Sequence, residues 1–325
     1  LLIAAVSAGF VSAGFVSAGF VSDAIAQPYP SRPVRVIIPF PPAGAGDILG
    51  RMLSARLTES FGQQFVNDNR PGGGNVIASE LTARANPDGH TLFVASATHA
   101  INPALLKKLP YDSIRDFSYI TLLADSPLLC VASLSAGANN LKELIAIAKS
   151  KPGRLSYASS GPGTGGHLAV ELIKFNAGID MVHVPYKGAG PALTDVISGQ
   201  LQFMCTSPLA VLPQVKSGRL RAMAMTGAKR SRAAPDIPTV AEQGFPGYQA
   251  SLWYQMLAPA NTPEAIVKRL NAEINRVLKM PDFIEQLAVQ GADPLGGTPQ
   301  EARRYTQVEI DRWLNLIKKT NIAPQ

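Results

Sequence analysis

Metal-ligating and charged residues are scarce in this 325-residue sequence. There are two cysteines and four histidines, and charged side chains make up only 16% of the chain. Two cysteines with four dispersed histidines give no zinc-binding pattern. The net charge of +7 comes from scattered Lys and Arg residues with no basic run longer than two. We therefore expect no metal, no cofactor and no nucleic-acid partner.

The familiar catalytic motifs are missing as well. The sequence contains neither a GxSxG nucleophile elbow nor an HExxH motif, and no paired-carboxylate arrangement stands out. Ser159 and Ser160 beside Gly161 are the only candidate nucleophiles, and nothing in the sequence marks a partner base for them. We therefore expect a protein that is not an enzyme, with a hydrolase as the alternative.

The N-terminal segment is uncharged over residues 1–22 and ends in Ala24-Ile25-Ala26, a small-x-small pattern that a signal peptidase cuts. This predicts a signal peptide over residues 1–26 and a secreted, periplasmic protein. The stretch is close to membrane-spanning length, so a membrane anchor is the alternative.

The two cysteines, Cys130 and Cys205, lie in apolar, strand-like runs. An oxidising compartment would allow them to pair. We favour buried free thiols, because a chain of this length can form its core without a disulfide.

Two glycine-rich turns are the most informative feature that is present. Residues 34–47 read VRVIIPFPPAGAGD and residues 155–167 read LSYASSGPGTGGH, each an apolar strand that leads into a turn and a helix. A helix start leaves backbone N–H groups unpaired and carries partial positive charge, and glycine allows a close approach to them. The pair therefore predicts two anion-binding turns that hold one ligand from two sides.

The second turn has two other interpretations. Residues 161–166, GPGTGG, satisfy the dinucleotide pattern GxGxxG, but His167 and Leu168 stand where a phosphate-binding loop has Lys and Ser or Thr. The remaining alternative is a tight turn that serves packing alone.

Strand-like and helix-like runs alternate from Val34 onward, which indicates an α/β fold with mainly parallel sheets flanked by helices. Residues 97–103 are predicted as a polar turn after a strand over 91–96. We predict a discontinuous first domain over 27–125 and 228–325, and a second domain over 126–227. Two chain crossings between the domains would form a hinge, with the ligand cleft between them.

Seven segments, in order, resemble the Bug receptors, the periplasmic solute-binding proteins of tripartite tricarboxylate transporters. They are residues 29–47, 69–75, 85–93, 98–112, 181–195, 224–231 and 236–248. The resemblance implies a two-domain clamshell of the periplasmic binding protein type. It also implies a monomeric receptor that delivers a small carboxylate to the membrane permease subunits of such a transporter.

The resemblance also implies a set of ligand-binding residues on the loops that face the cleft. In the first domain these are Phe40, Pro41, Pro42, Ala43, Gly44 and Asp47, followed by Ala97, Thr98, His99 and Asn102. In the second domain they are Ser159, Ser160, Gly161, Gly163, Thr164, His167, Tyr186, Lys187, Gly188, Thr206 and Ser207. Ala43 replaces a frequent glycine, and residues 205–208 lie where these receptors vary.

Several side chains have two possible roles. A carboxylate beside an anion site would repel the ligand, so Asp47 is expected to cap its helix or hold the neighbouring loop, with a ligand hydroxyl or ammonium as the alternative partner. His99 and His167 could donate to the ligand or simply support their loops. Lys187 could bond the ligand or remain solvated. Trp253 and Tyr254 are expected to pack in the core or hinge.

Overall fold

A computed structural model describes residues 29–40, 42, 45–232 and 234–319. The predicted signal peptide and three predicted site residues, Pro41, Ala43 and Gly44, lie outside these residues. Among the described helices, none combines the length and the apolar character needed to cross a lipid bilayer.

The larger of two sheets has six strands. They are Val34–Ile38 (β1), Phe65–Asn69 (β2), Thr91–Ser96 (β3), Phe117–Pro127 (β4), Ser251–Pro259 (β10) and Asp293–Gly296 (β11). Their spatial order is β11-β4-β10-β3-β1-β2. Strand β1 is parallel to β2 and β3, whereas β10 runs antiparallel to both β3 and β4.

The smaller sheet has five strands. They are Leu129–Ser133 (β5), Ser156–Ser159 (β6), Val182–Pro185 (β7), Phe203–Thr206 (β8) and Leu220–Met225 (β9). The spatial order is β7-β6-β8-β5-β9. Strand β6 is parallel to β7 and β8, whereas β5 is antiparallel to β8 and β9. Both sheets are therefore mixed, and the expectation of mainly parallel sheets is wrong. Most antiparallel pairings involve β5 and β10, which bring the chain from one sheet into the other, and β11 adds one more against β4.

Ten α-helices flank the sheets in the described part of the chain. They are Ala45–Phe61 (α1), Val76–Ala83 (α2), Thr98–Leu105 (α3), Leu141–Ser150 (α4), Gly165–Ala177 (α5), Ala189–Ile197 (α6), Pro208–Lys216 (α7), Glu264–Val277 (α8), Pro281–Val289 (α9) and Pro299–Lys319 (α10).

Helix α3 replaces the polar turn predicted over residues 97–103. Ala100, Ile101 and Ala104 are buried on one side of it, spaced by helical intervals, and α3 packs against α10. Burial of this apolar side outweighs Pro103, which lies inside the helix and has no N–H to donate.

Cys130 and Cys205 form a disulfide, so the prediction of buried free thiols is wrong. Strands β5 and β8 are antiparallel neighbours, and their register places these two residues directly opposite each other. The sequence shows two apolar strands but not their adjacency, and adjacency is what brings the two sulfur atoms together.

The chain passes between the sheets at two points that lie side by side. The backbone N–H of Leu128 donates to the Thr226 hydroxyl at 2.8 Å, and the Thr226 N–H donates to the Leu128 carbonyl at 2.9 Å. The Ala250 N–H donates to the Thr226 carbonyl at 2.9 Å, and Thr226 is fully buried. The segments that connect the two sheets are thus hydrogen-bonded to one another around a single threonine.

Candidate functional site

A cavity of about 170 Å³ lies between the two sheets. The larger-sheet side contributes Phe40, Asn75, Ser96, Ala97, Thr98, Ile101, Tyr254 and Trp313, and the smaller-sheet side contributes Gly163, Thr164, Gly165 and Leu168. Ala250, Ser251 and Leu252, where the chain returns into β10, complete the wall. Both regions predicted from the glycine-rich turns therefore reach one cavity.

On the larger-sheet side, three polar side chains form a hydrogen-bonded cluster. Asn75 donates from Nδ2 to the Ser96 hydroxyl at 3.0 Å and to the Thr98 hydroxyl at 2.5 Å. The two hydroxyl oxygens are themselves 2.5 Å apart. The amide hydrogens are thus both used, and one hydroxyl donates to the other. One hydroxyl hydrogen remains to be donated to a ligand.

Local structure explains how these three residues meet. Strand β3 ends at Ser96 and α3 begins at Thr98, so the two hydroxyls flank one strand-to-helix turn. Asn75 adopts the left-handed conformation at the start of α2, with φ 72°, which asparagine tolerates better than most residues.

On the smaller-sheet side, the cavity wall is mainly backbone. Gly161 and Gly163 have φ of 137° and 72°, which favours glycine at both positions. The Thr164 hydroxyl donates to the Gly161 carbonyl at 2.8 Å, so its hydrogen is already used within the turn. Thr164 precedes the first turn of α5, whose backbone N–H groups have no partner inside the helix. Gly165 brings this helix start to the cavity.

Two histidines support this turn from behind. His167 Nδ1 accepts a hydrogen bond from the Gly163 N–H at 3.1 Å, and its ring stacks on His183 with centroids 4.1 Å apart. Burial, and secondarily the nearby His183, lower the pKa of His167 to about 4. The neutral imidazole can therefore accept this bond at neutral pH. His167 holds the turn and does not line the cavity.

The first glycine-rich turn is held by a carboxylate. Asp47 is buried and accepts from Asn69 Nδ2 at 2.7 Å and from Arg51 Nε at 2.9 Å. Asn69 Nδ2 also donates to the Phe40 carbonyl at 2.9 Å. These contacts agree with the expectation that Asp47 holds the neighbouring loop.

His99 and Asn102 lie behind the wall of the cavity. His99 is buried, with Nε2 3.0 Å from the Ser113 carbonyl, and burial lowers its pKa to about 4. Asn102 Nδ2 donates to the Gly74 carbonyl at 2.9 Å. Both residues belong to α3 and are buried there, so the structure gives them supporting positions.

The predicted residues fall into two groups. Five of them line the cavity: Phe40, Ala97, Thr98, Gly163 and Thr164. The other described ones do not, and they are Pro42, Asp47, His99, Asn102, Ser159, Ser160, Gly161, His167, Tyr186, Lys187, Gly188, Thr206 and Ser207. Of these, Lys187 is exposed, and the Tyr186 hydroxyl donates to Asp195 at 2.5 Å.

Most of the wall residues that the sequence did not reveal are apolar. Ile101, Leu168, Leu252, Tyr254 and Trp313 have the character of core residues in the sequence. Alternation along β10 is the one usable signal, because Leu252 and Tyr254 share a face and Trp253 points to the other. Tyr254 therefore lines the cavity, whereas Trp253 is buried in the core as expected.

The described residues that line the cavity include no basic side chain. An anion would therefore be held by backbone N–H groups and by a hydroxyl. A Ser159–His183 pair, with Oγ 2.7 Å from Nε2, lies outside the cavity wall. Ser159 is only 1% exposed, and its Oγ accepts a bond from the Gly161 N–H at 3.2 Å. This hydroxyl supports the turn and is out of reach of a substrate in the cavity.

Comparison with known proteins gives a consistent result. Residues 49–322 match the family described as tripartite tricarboxylate transporter family receptor. BugT of Bordetella pertussis is 36% identical over 297 residues, which are 91% of each chain.

Two solved structures are similar over nearly the whole chain. Rpa4515 of R. palustris, solved with adipate, has a TM-score of 0.76 at 35% identity and covers 91% of this chain and 100% of its own. MatC from Rhodopseudomonas palustris, solved with bound malate, has a TM-score of 0.71 at 32% identity, covering 89% and 100%. The fold is that of a periplasmic binding protein, and the family is one of receptors rather than enzymes. The chain belongs to the tripartite tricarboxylate transporter family of solute receptors.

Proposed function

We propose that this receptor captures a small carboxylate in the cavity between its two sheets and delivers it to a tripartite tricarboxylate-type permease. The observation that carries the proposal is the cavity itself, which both strand-to-helix turns line from opposite sides. Two similar receptors were solved with adipate and with malate, which supports a carboxylate as the ligand.

The carboxylate binds at the start of α5. Gly165 exposes this helix start, where partial positive charge and unpaired N–H groups favour an anion. The hydroxyl cluster of Asn75, Ser96 and Thr98 donates one further hydrogen bond from the opposite side. The ligand thereby links the two sides of the molecule.

Each sheet with its helices forms one domain, and the domains move about the crossings at Leu128 and Thr226. Residues 27–125 and 228–325 form the first domain and residues 126–227 the second. This division is supported by sheet membership, because β1–β4, β10 and β11 share one sheet and β5–β9 the other. A ligand that contacts both domains binds the closed form more tightly and so favours closure. Lys187, Thr206 and Ser207 contact the ligand only if closure moves them toward it.

The receptor acts as a monomer in the periplasm, where the signal peptide would direct it. The Cys130–Cys205 disulfide is compatible with that oxidising compartment.

A thermal-shift screen against organic acids tests the function. A ligand at about a hundred times its dissociation constant adds roughly 2.7 kcal/mol to the free energy of unfolding, so a true ligand raises the melting temperature. The acid must be recovered chemically unchanged after incubation with the protein. Failure of every acid to shift the melt, or conversion of a bound acid to a product, would overturn the proposal.

Gly165→Val provides the site control, because added bulk at the start of α5 pushes against Leu252 and fills the place of the carboxylate, and its ligand-free melting curve shows whether it is folded. The matched substitution Gly190→Val lies on α6, where a Cβ would meet no atom within 4 Å. We expect the acid-induced rise in melting temperature to be lost in Gly165→Val and kept in Gly190→Val.

Small-angle scattering with and without acid tests closure, which predicts a smaller radius of gyration in the bound form.

A further inference from the structure

Three consecutive residues just before β10 bind three different parts of the molecule. The Tyr248 hydroxyl donates to the Ala169 carbonyl of α5 at 2.8 Å. The Gln249 carbonyl accepts a hydrogen bond from α10 at 3.1 Å, and the Ala250 N–H donates to the Thr226 carbonyl at 2.9 Å. This segment therefore joins α5, on the smaller-sheet side, to α10 and to the chain crossing at Thr226.

The start of α5 is held by close packing, and the Tyr248 bond adds direction. At Gly165 an added Cβ would lie 2.7 Å from Leu252 and 3.8 Å from Leu128, so the helix backbone lies against residues next to both chain crossings. Apolar packing is non-directional, whereas a hydrogen bond weakens steeply when it is misaligned. Ala169 lies about one helical turn beyond Gly165. A bond to its carbonyl therefore fixes the rotation of the helix start.

Tyr248 is suited to this role because it is buried and its hydroxyl stays protonated. Its side chain is almost fully buried, and burial raises the pKa of its hydroxyl, so the group donates throughout the neutral range. A carbonyl oxygen has two lone pairs, so Ala169 can accept this bond as well as one within its helix. The tyrosine bond thus orients α5 without interrupting it.

We infer that Tyr248 is a positioning residue, whose bond to Ala169 turns the N–H groups at the start of α5 toward the cavity before the carboxylate binds. This inference rests on the proposed carboxylate site and adds a residue outside the cavity wall that sets its affinity. Without the bond, only a fraction of the molecules has the competent helix orientation, and the apparent affinity falls by that fraction.

Titration calorimetry and stopped-flow binding compare wild type with Tyr248→Phe, which keeps the ring and removes only the hydroxyl. The probes are adipate and the acid of the screen that raises the melting temperature most. We expect binding about two- to tenfold weaker, the range that one neutral hydrogen bond supplies. The loss should arise from slower association with dissociation unchanged, because a bound acid itself holds the helix start.

Tyr29→Phe is the matched control. The Tyr29 hydroxyl donates to the Gly89 carbonyl at the same distance, 2.8 Å, on the larger-sheet side and outside the cavity wall, so its loss should leave the affinity unchanged. Tyr305→Phe removes the hydroxyl that accepts from the Gln249 side-chain amide at 3.1 Å and should weaken binding less than Tyr248→Phe does. Ligand-free melting curves show whether each variant is folded, and Tyr305→Phe carries the test if Tyr248→Phe is not.

The outcomes separate the role of Tyr248 from the proposed function. Equal affinity in wild type and Tyr248→Phe overturns the inference and leaves the carboxylate receptor intact. Equal losses in Tyr248→Phe and Tyr29→Phe, or faster dissociation with unchanged association, also overturn it. Wild-type protein that binds no acid of the screen overturns the proposed function and this inference together.

Discussion

The two glycine-rich turns have similar sequences but are held in place by different chemistry. Side chains join the two flanks of the first turn, because the buried Asp47 carboxylate links α1 to Asn69 and through it to the Phe40 carbonyl. The second depends on close backbone packing, supported by neutral imidazoles. At Gly166 an added Cβ would lie only 2.3 Å from the Cys205 carbonyl oxygen.

This difference shows that one sequence pattern can be stabilised in two ways. The His167 imidazole loses its acceptor capacity when it is protonated. The second turn should therefore be sensitive to acid and to any change in backbone packing.

The largest effect should follow loss of the Cys130–Cys205 disulfide, which joins β5 to β8 in the sheet that carries the second turn. The bond joins residues 75 apart. Its removal by Cys130→Ser with Cys205→Ser should lower the free energy of unfolding by about 2–5 kcal/mol, because the unfolded chain gains conformational freedom. Urea unfolding measures the loss, and hydrogen exchange should rise around residues 156–167 more than around 34–69. The double variant must be insensitive to reductant, and an equal loss in reduced wild-type protein confirms the cause.

A smaller effect is expected from Gly166→Ala, which tests the backbone packing of the second turn. The new Cβ forces the α5 start away from Cys205, and such overpacking costs about 1–3 kcal/mol. Gly190→Ala is the control, because no atom lies within 4 Å of the new Cβ and alanine favours a helix by about 0.5–1 kcal/mol. Chemical unfolding measures the free energy of unfolding of both variants. Equal stability would show that the turn is not tightly packed.

Asp47→Ala tests the first turn. Asn69 and Arg51 lose a charged partner in a buried position, which should cost about 2 kcal/mol. Glu264→Ala removes a carboxylate from a largely exposed pair with Lys268 and should cost much less, because solvent screens such a pair. If the two losses measured by urea unfolding are similar, the carboxylate does not hold the turn.

The smallest expected effect is a loss of stability at mildly acidic pH. The folded pKa of His167 is about 4, below the unfolded value near 6.5, so the unfolded chain binds the proton first and stability falls as pH drops from 6.5 toward 4. Partial solvent screening limits the loss to about 1 kcal/mol at pH 5. Asp125, whose pKa is raised in the folded protein, has the opposite effect, because its contribution to stability rises as the pH falls.

The difference between wild type and His167→Gln isolates the histidine. Urea unfolding at pH 7 and pH 5 should show a smaller loss in the variant. A parallel loss in both proteins would remove His167 as the cause.

Local patterns predicted much of the architecture. The strand over residues 91–96 follows from neighbouring residues, and it is present. The disulfide and the mixed sheets depend on which strands become neighbours, which local patterns do not specify. The polar turn predicted over 97–103 became α3 because its apolar side is buried by the distant α10.

The residues that line the cavity show the same limit of local sequence patterns. Thr98, Gly163 and Thr164 were implied by the resemblance to the Bug receptors, whereas Leu252 and Trp313 reach the cavity only after residues distant in sequence pack together. His99 was implied by the same resemblance, but its ring is buried against the Ser113 carbonyl. Ligand contact by the predicted residues outside the cavity wall stays a prediction.

The hydrogen bonds around Thr226 have a mechanical consequence. Because Leu128, Thr226 and Ala250 are joined there, this point would be the fulcrum of the proposed rotation of one sheet relative to the other. Ala250, Ser251 and Leu252 belong both to this neighbourhood and to the cavity wall, so the lever arm to the ligand is short. A given angle then moves the outer rims of the molecule farther than it moves the cavity wall. The binding site can keep its shape while a small rotation is amplified at the periphery, where a membrane partner would sense it.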